Sequence, residues 1–191
     1  MLRFMLFAAA TLIASSAGAQ EWKKIEPEQS ALIISIPELR GAKPQSALRA
    51  EARGVRGSAT ATPAEDRFTF AAKGHIGVFW YEYFDGGASW KNETLRSVVE
   101  AVDWIAGKNL AVHANEQRYS RGGGEGRYAT FSYRPQNTDR PCVIGQFATQ
   151  GPQVAERVTA IVCRPAGTTM DLATAKKLLD QVGTKTLPPT S

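Results

Sequence analysis

Apolar positions along this chain recur with a period of two in most segments and with a helical period in two. Ser30 to Ile36 carries Leu32, Ile33, Ile34 and Ile36 ahead of Pro37 and predicts a short buried strand. Arg67 to Ala71 places Phe68 and Phe70 on one side and Thr69 on the other, the alternation of a strand. Gly77 to Phe84 is the most aromatic stretch and ends at Asp85-Gly86-Gly87, a turn. As a strand it directs Phe79, Tyr81 and Tyr83 to one face and Val78, Trp80, Glu82 and Phe84 to the other, which predicts a central strand covered on both sides. Leu110 to Tyr119 and Arg127 to Arg134 predict two strands joined by the glycine-rich loop Ser120 to Gly126. Between Arg40 and Gly57 five cations face one acid, Glu51, and Gly41, Pro44, Gly54 and Gly57 interrupt the pattern, so a mobile surface loop is expected.

Helical spacing appears first over Asn92 to Ile105, where Leu95, Val98, Val99 and Val102 form one stripe, with Asn92 as cap and Gly107 just beyond the end. It returns after Asp171, a second cap, with Leu172, Ala175, Leu178, Leu179 and Val182 as the stripe and Gly183 as the stop.

The two cysteines fix a register. When the chain from Cys142 to Cys163 is folded about the turn at Gly151-Pro152 so that Phe147 opposes Val158, Ile144 opposes Ile161 and Val143 opposes Val162, Cys142 opposes Cys163. A disulfide between them is expected, worth about 3 kcal/mol through the loop it closes. Without a Cys-x-x-Cys pair, its role is structural. These elements predict an α+β fold: a single domain, mainly antiparallel sheet, with about two helices packed mainly on one face and one disulfide-bridged hairpin.

Composition narrows the setting. With 191 residues, 43% hydrophobic and 21% charged, the chain is expected to be globular. The first residues combine Arg3, an uncharged run from Phe4 to Ile13, and small residues at Ala17 and Ala19, the three parts of a secretory signal, with cleavage expected between Ala19 and Gln20. The run is too short to span a bilayer, which needs roughly 20 apolar residues. The expected layout is a cleavable signal over 1–19, a solvated lead-in over 20–29, one domain over 30–185 and a disordered tail over 186–191, with a periplasmic or secreted product. Residues 20–106 hold 11 Lys+Arg against 12 Asp+Glu, and residues 107–191 hold 11 against 6. That basic half can attract anions but lacks the dense basic face of a nucleic-acid binder, so no nucleic-acid partner is expected.

Candidate chemistry is sparse. Two histidines and two cysteines cannot assemble a Cys-rich zinc module, and neither metal nor cofactor is expected. His75 and His113 read as structural. No Gly-x-Ser-x-Gly elbow occurs, and the glycine-rich loop opens a strand rather than a phosphate-binding helix. Glu82 with Asp85 or Glu93 could form a carboxylate pair. Two groups remain as candidate binding residues: Arg118, Arg121, Arg127 and Arg134, with Arg140 nearby, as an anionic contact face, and Trp80, Tyr81, Tyr83 and Trp90 as an aromatic platform. The expected function is a non-enzymatic, envelope-associated binding or interaction protein that contacts an envelope protein or an anionic cell-wall component. The alternative is a hydrolase of cell-wall glycan or peptide, with the aromatic residues holding substrate and Glu82 as acid.

Overall fold

The computed structural model describes residues 21–53, 62–85, 94–102, 110–112, 116–121, 124–135, 138–150, 154–186 and 188–189. The expected signal segment, Trp90, Asn92, Glu93, Gly107 and His113 lie outside these residues.

Period-two burial builds one large antiparallel sheet. Its strands are β1 (Trp22–Lys24), β3 (Ser46–Ala50), β4 (Ala64–Ala72), β5 (His75–Asp85), β6 (Leu110–Val112), β7 (Gln117–Arg121), β8 (Gly124–Tyr133), β9 (Arg140–Gln150) and β10 (Val154–Cys163). They lie in the order β1-β3-β4-β5-β10-β9-β8-β6, with β7 also pairing β8. A second, two-stranded sheet joins β2 (Leu32–Ile34) to β11 (Val182–Thr184). The helices are α1 (Leu95–Glu100) and α2 (Leu172–Asp180).

The β9–β10 hairpin has the register that apolar pairing predicts: Phe147 opposes Val158, Ile144 opposes Ile161, and the Cys142–Cys163 disulfide closes its base. The central position predicted for the aromatic strand also holds, since β5 lies between β4 and β10.

Elsewhere the structure corrects the pattern. The helices pack on opposite faces, because the central strands are apolar on both. Val143 and Phe147 of β9 join Ala175, Leu178 and Leu179 of α2 in one cluster, while Cys142 and Ile144 join Leu95 and Val99 of α1 in the other. Gly145 points towards α2, and a Cβ there would lie 2.4 Å from Leu179 Cδ1, so the missing side chain lets the helix lie against the strand.

The segment read as a mobile loop contains β3, held by Arg49, which donates to Asp66 of β4 from Nε (2.6 Å) and Nη2 (2.8 Å). The first predicted strand shortens to β2, half-buried in the small sheet. Helix α1 starts later and stops sooner than its stripe suggests: Thr94 caps it, accepting from the Ser97 N–H at 3.1 Å, and Ala101 ends it. Asp171 does cap α2, its Oδ1 accepting from the Thr174 N–H at 2.7 Å. Val182 and Gly183, however, leave the helix to form β11 against β2. The loop after Tyr119 is likewise shorter, with β7 reaching Arg121 and β8 starting at Gly124. No helix among the described residues is long and apolar enough to cross a membrane.

Candidate functional site

On the α1 face the apolar floor gives way to polar rows that run across the strands. Pairing places Arg67, Trp80, Thr159, Gln146, Arg127 and Arg118 in one line from β4 to β7. Beside it Glu65, Glu82 and Arg157 stand directly opposite one another on β4, β5 and β10. The next line, Thr69, Val78, Ile161 and Ile144, restores the core. Helix α1 crosses this boundary and leaves a cavity of about 580 Å³, walled on the helix side by Ser97, Val98, Ala101 and Val102 and on the sheet side by Glu65, Arg67, Val78, Trp80, Glu82, Gln146, Arg157 and Thr159. Its size is that of a small-molecule site.

Most of its charge is fixed by neighbours. Arg157 donates to both oxygens of Glu82, from Nε (2.5 Å) and Nη2 (2.6 Å), and both side chains are nearly buried. Gln146 links Arg127 to Thr159, accepting at 3.1 Å and donating at 3.1 Å. Arg67 donates from Nε and Nη2 to a single oxygen of Glu65 at 3.2 and 2.8 Å. Its guanidinium lies over two indoles, 4.6 Å from the Trp22 centroid and 5.6 Å from that of Trp80. Burial pushes the Glu65 carboxyl above its usual range, and Glu82 adds to the rise, while Arg67 and Arg157 oppose it. The carboxylate facing Glu82 across the strands is therefore Glu65; the Asp85 side chain and Glu93 lie outside what is described.

The predicted aromatic platform divides between two faces. Tyr81 and Tyr83 point to the α2 side, where Tyr81 is buried and its hydroxyl donates to Glu156 at 3.0 Å. Among the described residues of that platform Trp80 alone reaches the cavity, beneath Arg67. The alternation of a strand imposes this split.

The four arginines also separate. Arg121 is buried over the Phe147 ring and donates to the Leu179, Asp180 and Val182 carbonyls, closing the end of α2. Arg134 grips Asp139 through two hydrogen bonds, and Arg127 contacts Glu116 and Gln146. Arg118, opposite Arg127, is exposed. His75 is buried, with Nδ1 3.3 Å from the Lys73 carbonyl.

Sequence reasoning missed Glu65, Arg67 and Arg157 as site residues. A signal existed for two of them: Glu65, Arg67 and Thr69 are the first three positions on the side of β4 opposite Phe68 and Phe70, and that side carries no apolar residue until Ala71. No protein-family model, curated protein or solved structure matches this chain.

Proposed function

We propose that this chain is an exported, non-enzymatic binding protein of the bacterial cell envelope, and that its ligand occupies the cavity between α1 and the sheet. The observation that carries the reading is that cavity: polar side chains of four adjacent strands, set by cross-strand pairing and oriented by one another, converge beside a mainly apolar helix wall. Such preorganisation on rigid strands suits recognition. The short apolar run before Gln20 and the disulfide support an oxidising compartment as its setting.

Native mass spectrometry of the purified protein with soluble envelope extract tests the binding role. A bound small molecule that is lost when Val98→Trp fills the cavity is expected; an extract that leaves the protein unliganded overturns the reading. Sequencing the N-terminus of the exported protein should find Gln20, and an intact Met1 in the mature fraction would remove the case for export.

One observation favours the hydrolase as a second reading: two carboxylates, Glu65 and Glu82, face each other in the cavity, and burial makes Glu65 hold its proton more tightly than an ordinary glutamate does. In that arrangement Glu65, rather than Glu82, is the acid. Release of soluble fragments from peptidoglycan, abolished by Glu65→Gln, is its test.

A further inference from the structure

Resting on the binding role, we propose that Arg67 anchors a carboxylate of the ligand, and that the cavity takes small peptide-like molecules with a free carboxyl end and an apolar neighbouring group. A guanidinium has five N–H donors arranged as two forks. In Arg67 the side fork, Nε and Nη2, is spent on Glu65. Among the described residues nothing accepts from the end fork, formed by Nη1 and the outer hydrogen of Nη2, and the side chain is 41% exposed. Two indoles lie against the guanidinium, a contact that holds it in place without consuming a donor. A carboxylate can meet such an end fork with two parallel hydrogen bonds.

The surroundings choose among anions. Arg157 is already committed to Glu82, so Arg67 is the cavity guanidinium with a fork to offer. Glu65 and Glu82 lie close by, and burial already disfavours charge on Glu65. A phosphate dianion would meet both carboxylates with twice the repulsion that a carboxylate meets. Two residues along the strand from Trp80, the wall becomes apolar at Val78, with Val98 of α1 and Val102 just beyond its end completing it. A peptide end supplies both parts: the carboxylate for Arg67 and the terminal side chain for the valines.

The experiment titrates the purified protein with N-acetyl-Ala-Val, its C-terminal amide and inorganic phosphate, using calorimetry and the fluorescence of the tryptophans that flank Arg67. The acid is expected to bind with a change in fluorescence, the amide at least about tenfold more weakly, and phosphate no better than the amide. Arg67→Lys, which keeps the charge but not the fork, should weaken the acid about tenfold and leave the amide unchanged. Equal binding of acid and amide, no binding of the acid at millimolar concentration, or a preference for phosphate would each overturn the anchor. Val98→Trp separates the two proposals. If it abolishes acid binding, the ligand sits in the cavity. If acid binding survives Val98→Trp but falls with Arg67→Lys, the carboxylate anchor stands and the cavity reading fails.

Discussion

Arg121 and Arg67 differ in what their guanidiniums face, and this sets what each can do. Arg121 meets three carbonyls at the end of α2 and the face of Phe147, all in the interior. Replacing it with Met removes those hydrogen bonds from a buried site and should lower stability by about 2–3 kcal/mol, read as a fall in the urea midpoint. Gly145→Ala should cost about 1–3 kcal/mol by the same measurement, because its Cβ would overlap the side chain of Leu179, which is buried in the core and would have to shift. Glu65 gives a pH signature. Its carboxyl is raised in the fold, mainly by burial, so the folded state holds the proton more tightly and stability falls as pH rises from the ordinary carboxylate range through the raised value. Glu65→Gln keeps an acceptor for Arg67 but no charge; urea midpoints at pH 4 and pH 7 should show the variant gaining on the parent as pH rises. A pH-independent difference would contradict this. These roles are legible locally only in part: Arg67 lies two residues from Glu65 on one strand, whereas the carbonyls that Arg121 meets and the indoles beside Arg67 belong to other elements.

Elements were readable where their neighbours were near in sequence. The β9–β10 hairpin follows from its own residues, since a period of two and a single turn leave one register that pairs Phe147 with Val158 and the two cysteines with each other. The same register opposes Gln146 to Thr159, so one hydrogen-bonded pair of the candidate site was also present in that pattern. Reduction of the Cys142–Cys163 bond should cost about 3 kcal/mol, seen as a lower urea midpoint with reductant and absent from a Cys142→Ser, Cys163→Ser variant. The cap of α2 was equally visible, because Asp171 and Thr174 are three residues apart. Strand β3 was not, since a run of cations looks like a loop until Asp66, buried on β4, gives Arg49 its partner. Nor was the placement of the helices, because β9 and β10 offer apolar residues to both sides and the sequence contains no preference between them.

In the whole molecule the main sheet comprises two consecutive runs of chain, β1-β3-β4-β5 and β6 to β10, that meet along one strand pair, β5 with β10. The small β2–β11 sheet stitches the same halves on the α2 side. The candidate cavity straddles the seam: Glu65, Arg67, Trp80 and Glu82 come from the first half, and Gln146, Arg157 and Thr159 from the second. The Glu82–Arg157 pair is a clasp across it. A site made this way exists only after both halves have zipped together, so an occupant acts as a rivet. Saturating ligand should slow amide exchange along β5 and β10 in concert, while the outer strand β1 continues to open at its own rate.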